Sequence, residues 1–424
     1  MKPEGIYLDH SAATYLDPKV KQAMEPYGDL EYANPSSLHS LGKKAKEALN
    51  QARNNAASLL NAKPSEIIFT AGGTESINLA IFGVVGANDA HIITSNVEHH
   101  AVLSSCKLLE TKGCKISHLP ADNEGFISLD QLKKAVKPET TLISIMYANN
   151  EIGTIEPIKE ISAWLKILNQ QRISAGLGRI LFHTDACQAA GSLNIDIIDI
   201  GVDLMTLNGS KIYGPKQTGI LFVKKGIELN PLIYGGGQER NLRSGTENIP
   251  GIIGFTKALE LVQKDRLNEN DRLQKLRNYV ISQICNKIPD VIINGPKDYS
   301  ILPNKIKRLP NNINVSFKKV DGNLLLAYLD KRGIYVSTGS ACSSKGNEPS
   351  HVLMSINCSE NYINGSLRMT LGKRNTKEDL DYLIKILVSG VKEIRQISMI
   401  TTDLEKIKGT PLDAGCIKMT STKF

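Results

Sequence analysis

The 424-residue chain is long enough for two or three domains with cores of their own. With 41% hydrophobic and 22% charged residues it has the balance of an ordinary globular protein, and no apolar run approaches the roughly 18 residues of a membrane span. The net charge of +8 is dispersed, with no basic stripe of the kind that binds nucleic acid directly. The opening MKPEGIYLDHSAAT lacks the apolar core of a secretion signal, so the expected location is cytoplasmic, with no membrane contact. Seven scattered cysteines without a C-x-x-C indicate neither a disulfide framework nor a zinc site.

Residues Ile6 to Leu16 read as an extended entry segment. Tyr27 to His39 is polar and turn-rich around Asn34-Pro35-Ser36-Ser37, and Leu41, Ala45, Ala48, Ala52, Ala56 and Leu59 then recur at helical spacing. A strand at Glu66 to Thr70 runs through Gly72-Gly73 into a helix opening at Thr74-Glu75-Ser76. Free backbone N–H groups and the positive dipole end suit such a start to phosphate. It is neither a Walker loop nor G-x-G-x-x-G. Strands follow at His91 to Ser95, Cys114 to Leu119, Thr141 to Met146 and Leu181 to Thr184. Helices are expected over Val97 to Gly113, starting at Glu98-His99-His100, then over Leu129 to Val136 and Ile158 to Leu168.

Next comes VDLMTLNGSKIYGPKQTGILFV, from Val202 to Val223: two strand-like runs enclosing Lys211 beside a rigid Gly214-Pro215 turn. A held, partly desolvated lysine can form a Schiff base with an aldehyde; the plainer reading of this segment alone is a lysine on a hairpin tip. Leu232 to Pro250, rich in glycine and arginine, reads as a functional or subunit-contacting loop. A long helix over Phe255 to Arg277 bridges to a second domain. That domain has strands at Ile313 to Phe317, Ile334 to Ser337 and Ser366 to Leu371. Its helices are at Gly322 to Arg332 and Thr376 to Ile394, the last opening with a Thr376-x-x-Asp379 capping box.

Alternating strands and helices imply a mostly parallel sheet covered by helices. Polar residues gather where its strands end, at Gly73-Thr74, His99, Asn150, Asp185 to Gln188 and Lys211, and such ends are where open α/β sheets bind ligands. The expected organisation is a large domain over 15–256, a small domain from 1–14 and 257–396, and a loosely ordered tail over 397–424.

The pieces LDHSAATYLDP, NPSSLHSLGKKA, TAGGTESINLAI, VEHHAVL, NNEIGTIEPI, HTDACQAAG, NGSKIYGPK, RSGTENI, STGSACSS with EPSHVL, and LRMTLGK occur in order. Together, over Ile6 to Ile394, they resemble the cysteine desulfurases, pyridoxal 5′-phosphate (PLP) enzymes of the class V aminotransferase-like group. The resemblance implies a PLP-dependent transferase fold of type I, with a mostly parallel seven-stranded sheet and a small C-terminal α/β domain. It implies a sulfurtransferase that converts L-cysteine to L-alanine and leaves a persulfide on Cys342. It makes Lys211 the Schiff-base lysine, Asp185 the acid on the ring nitrogen, His99 the residue stacked on the ring, and Gln188 the partner of the ring hydroxyl. The phosphate falls to Gly73, Thr74, Asn208 and Ser210, with Thr246 of a second subunit in a homodimer. Asn150 belongs to both the cofactor and the substrate; Arg368 grips the substrate carboxylate, with Asn34 and Asn150 helping. Cys342, in a loop of small polar residues, is the exposed thiol that passes sulfur to an acceptor or iron–sulfur scaffold protein, for cluster assembly or tRNA thiolation. No resident metal is implied, although Cys342 is able to ligate an iron–sulfur cluster transiently. Cys187, beside Asp185, reads as packing. A selenocysteine lyase and a non-catalytic PLP-binding sulfur carrier are the alternatives.

Four features depart from the family pattern. Ser210 replaces the histidine usual before the lysine. Gln217 stands where glycine is usual. The stretch Leu165 to Arg179 is longer than the usual connection, so an extra loop is expected. The tail from Thr401 to Phe424 matches nothing in the pattern.

Overall fold

The computed structural model describes residues 5–85, 90–297, 307–338 and 349–409, the last twelve through their backbone alone. Its strands are β1 (Ile6–Tyr7), β2 (Ile67–Thr70), β3 (His91–Ser95), β4 (Lys115–Leu119), β5 (Thr140–Ser144), β6 (Leu181–Asp185), β7 (Leu204–Asn208), β8 (Gly219–Val223), β9 (Val291–Ile293), β10 (Asn312–Phe317), β11 (Ile334–Tyr335) and β12 (Ser366–Thr370).

A seven-stranded sheet runs in the order β2-β8-β7-β6-β5-β3-β4. Only β8 is antiparallel, to both β2 and β7; the other pairings are parallel. Strands β2, β3 and β8 are buried at every position. That is why they read as continuous apolar runs rather than as alternation. Successive residues nevertheless face opposite layers. Ile143, Phe182 and Phe222 pack with helix Ser40–Leu59 and the first half of helix Ile249–Lys287. Leu142, Leu204 and Leu221 pack with helices Gly73–Val84 and His100–Thr111.

A second core lies around the antiparallel sheet β12-β10-β9, where Val315, Phe317, Leu367 and Met369 meet Leu383 and Leu387 of the last helix. Leu8 reaches into it from the N-terminal segment. Helix Ile249–Lys287 belongs to both cores: Phe255 and Leu259 are in the first, Val280 and Ile284 in the second. A small cluster of Val97, Ile152, Val352 and Leu353 closes the gap beside the site.

Two expectations are corrected. The stretch after Leu165 is not chiefly a loop, because the helix continues over Ile158–Ser174. Its buried face runs on through Asn169 and Arg172, two polar residues that hide the apolar period. Asn169 trades hydrogen bonds with the backbone of Ile180, and Arg172 donates to the carbonyls of Lys137, Pro138 and Gly178. The last helix spans Lys377–Gly409, so helical backbone extends well past 397. Its capping box forms in both directions: Thr376 N donates to Asp379 Oδ2 at 3.0 Å, and Asp379 N to Thr376 Oγ1 at 3.3 Å. Among the described residues no helix is long and apolar enough to cross a membrane.

Candidate active site

The parallel strands deliver Ser95, Ser144, Asp185 and Asn208 to one edge of the sheet, where a cavity of about 220 Å³ opens. Gly73, Thr74, His99, Asn150, Asp185, Gln188, Asn208, Lys211 and Arg368 all line it.

Lys211 ends a single 3-10 turn, Gly209–Lys211, that follows β7. A Cβ on Gly209 would lie 2.3 Å from Thr218 Oγ1, so only glycine lets the turn close. The ammonium of Lys211 donates to the carbonyls of Ser11 at 2.8 Å and Ala12 at 2.6 Å. Gln188 Nε2 donates to the same Ser11 carbonyl at 3.0 Å. The N-terminal segment is thus a wall of the site.

Asp185, the last residue of β6, is 6% exposed, and its Oδ1 accepts from Cys187 N at 2.9 Å. The Cys187 thiol is held well above its ordinary pKa, by burial first and by Asp185 next. It is a protonated packing group. His99 caps helix His100–Thr111, its Nδ1 accepting from Ala101 N at 3.1 Å. In the neutral ring the proton therefore sits on Nε2. Burial lowers the His99 pKa; Asp185 opposes this, and Lys211 and His100 add to it.

Arg368, on β12 of the other sheet, is 2% exposed. It donates to Asp9 Oδ1 at 2.8 Å and to the Asn150 carbonyl at 3.3 Å, while its Nε is buried with no hydrogen-bond partner. A buried, unanswered guanidinium N–H in a cavity suits an incoming carboxylate. At the opposite end the backbone turns at Gly72, φ +131°, into helix Gly73–Val84. A Cβ on Gly73 would meet Cys187 Sγ at 2.8 Å, so the turn must stay bare. An amine, a buried carboxylate, a bare helix start and an arginine with an unanswered N–H around one small cavity form a donor set that fits PLP and an amino acid.

Three described residues that the sequence singled out do not line the cavity. Asn34 is exposed and accepts from Ser36 N at 2.8 Å, closing a turn in its own loop. Ser210 turns its N–H and hydroxyl to Asn208 Oδ1. Thr246 is exposed in a separate cleft with Phe69, Gln217 and Arg243. Cys342 lies outside the described residues. Gln217 has φ +56°, the left-handed region that explains why glycine is usual there.

Sequence reasoning missed three supports. Asp9, Ser11 and Ala12 sat in a segment read only as extended, although LDHSAA is unusually polar for a strand entry. Glu98 is fully buried; its Oε1 accepts from Ser95 Oγ and Met146 N, and burial pushes its pKa to about 8. Glu151, raised by burial to about 7, accepts from Ser350 Oγ at 2.5 Å. With His351 Nε2 at 2.9 Å from the Glu98 carbonyl, Ser350 fastens the chain just after residues 339–348 to the wall of the site.

Residues 6–383 match the family model Aminotransferase class-V, and the chain belongs to that family. The cysteine desulfurase IscS of Clostridium botulinum is 46% identical over 406 residues, 95% of this chain and 98% of that protein. A solved NifS-like protein superposes with a TM-score of 0.82 at 35% identity, covering 91% of this chain and 98% of its own. SspA, solved in complex with cysteine, gives 0.72 at 35% identity over 86% and 98%. Within the class, the chain is a member of the cysteine desulfurases, which are PLP-dependent.

Proposed function

We propose that this chain takes sulfur from L-cysteine, releases L-alanine, and carries the sulfur as a persulfide on Cys342 to a protein acceptor. The observation that carries the reading is the convergence of Lys211, Asp185, His99, Gln188 and Arg368 on one cavity of amino-acid size. When bound, PLP supplies an aldehyde for amines and a ring that draws electrons from the substrate α-carbon.

The chain's own residues do the rest. With PLP bound, Lys211 Nζ would hold its aldehyde and is the amine placed to move the substrate α-proton. Asp185, its carboxylate oriented by the Cys187 amide, keeps the ring nitrogen protonated. His99, its proton on Nε2, would hold the ring by stacking. Gln188 answers the ring hydroxyl. Gly73, Thr74 and Asn208 would receive the phosphate, and Arg368, helped by Asn150, would fix the substrate carboxylate. Cys342 as thiolate would attack the substrate sulfur: an S–S bond forms as the substrate C–S bond breaks, and the carbon keeps the bonding pair and takes up a proton to give L-alanine.

We further propose that the chain works as a homodimer, Thr246 reaching the partner's phosphate end. The exposure of Thr246 and of Leu30, Leu38 and Tyr234 supports this reading. The two separate cores support a large domain over 15–256 and a small one from 1–14 and 257–396. No disulfide joins the described cysteines, which fits a reducing, cytoplasmic setting. The acceptor is read as an iron–sulfur scaffold or a tRNA-thiolation protein. Incubating the PLP-loaded protein with L-cysteine and a thiol reductant should release sulfide and alanine in equal amounts. Cys342→Ala should abolish sulfide release, and full release by that variant would remove Cys342 from its role.

A further inference from the structure

We infer that Arg243 and Glu75 form a positioning pair that sets both the shape and the charge of the turn Ala71 to Thr74. This rests on reading that turn as the phosphate end of the site. Glu75 lies in the first turn of helix Gly73–Val84. One of its carboxylate oxygens accepts from Ala71 N at 2.9 Å, the other from Arg243 Nε at 3.0 Å. Both side chains are largely sheltered, Arg243 26% and Glu75 18% exposed.

The pair resolves a conflict. An acid in a first helical turn is favoured because it answers backbone N–H groups and the positive dipole end. A phosphate wants the same end, so a bare Glu75 carboxylate there repels it. Arg243 cancels that charge and leaves the second oxygen to hold Ala71 N.

The loop that carries Arg243 is itself fixed to the same strand. Glu239, 7% exposed, accepts from Phe69 N at 2.8 Å and from Arg53, whose guanidinium also stacks on Phe69 at 4.8 Å. Arg240 donates to the carbonyls of Ile67 and Pro64. Glu239, Arg240 and Asn241 all have positive φ, so the loop holds a tight left-handed reversal against β2. Phe69 N and Ala71 N, two residues apart, are each bound by a glutamate that an arginine neutralises.

The test compares binding of PLP and of pyridoxal, which lacks the phosphate, to the apo-protein, followed by absorbance. Arg243→Ala should weaken PLP by about 3- to 10-fold, the range of partly sheltered charges near a helix end, and leave pyridoxal unchanged. Arg243→Lys keeps the charge and should bind PLP nearly as wild type does, so a folding failure of the alanine variant leaves the inference testable. The double variant Glu75→Gln with Arg243→Ala should regain most of the lost PLP affinity, since the amide still accepts from Ala71 N and the repelling charge is gone. Equal weakening of PLP and pyridoxal, or no recovery in the double variant, would mean the pair merely braces the fold. A wild-type protein with no preference for PLP over pyridoxal would overturn the phosphate reading itself, and this inference with it.

Discussion

The two ends of the site are held by different physics. The lysine end is built on strands β6 and β7 of the seven-stranded sheet, whose last residues, Asp185 and Asn208, reach the cavity. The arginine end comes from β12 of the other sheet and is held by an ion pair, Arg368 to Asp9, and by the Asn150 carbonyl. The first end is rigid because its groups leave short turns at the ends of hydrogen-bonded strands. The second must join two cores, and long-range polar contacts do that work.

The sharpest way to break this contrast is at Lys211. Lys211→Ala should lower sulfide release on the order of 10³-fold, and adding PLP should not restore it. At the other end, Arg368→Ala should keep the cofactor spectrum but lower kcat/KM for L-cysteine by about 100-fold, because a buried partner is left unpaired and a carboxylate contact is lost. Arg368→Lys should recover little, since a lysine cannot reproduce the planar fork. A loss of PLP in the Arg368 variants would show that the two ends are not separable.

The buried acids give a pH test with a definite sign. Glu98, Glu151 and Glu156 have folded pKa values raised from 4.5 to between about 7 and about 8. Between those limits the folded state holds protons that the unfolded state has lost. Below about pH 6.5 the buried His10, His91 and His183, lowered by burial to about 4, oppose this; above it they are neutral in both states, the folded state alone still holds the glutamate protons, and stability falls as pH rises from about 6.5 to about 8 and levels off above. Thermal melts across that range should show Tm falling with pH. Glu98→Gln, whose amide oxygen can still accept from Met146 N, should shallow the fall by a few degrees. A slope unchanged in the variant would mean Glu98 is ionised in the folded protein. The smallest effect is expected beyond Lys211: Gln217→Gly should stabilise by about 0.5 to 1 kcal/mol by relieving a left-handed φ, read as a small rise in Tm.

What was legible in the sequence follows the same divide. The lysine end could be read because each residue follows a strand whose apolar run is unmistakable: Asp185 after LFHT, Lys211 after VDLMTL, Gly73 after EIIFT. The supports of the arginine end could not. Asp9 meets Arg368 across 359 positions, and the polarity of LDHSAAT does not say which distant residue it anchors. Glu98 read as a helix-start residue, because a capping acid and a buried one look alike in a polar cluster. Helix Ile158–Ser174 was cut short since Asn169 and Arg172 bury polar groups on its inner face.

The central claim is that Lys211 is the covalent anchor of PLP in this cavity. Borohydride reduction of the PLP-loaded protein, followed by digestion and mass spectrometry, tests it most directly. A pyridoxyl mass on the peptide containing Lys211, absent from Lys211→Ala, is the predicted result; a stoichiometric adduct on another lysine, or an adduct that persists in Lys211→Ala, would contradict it.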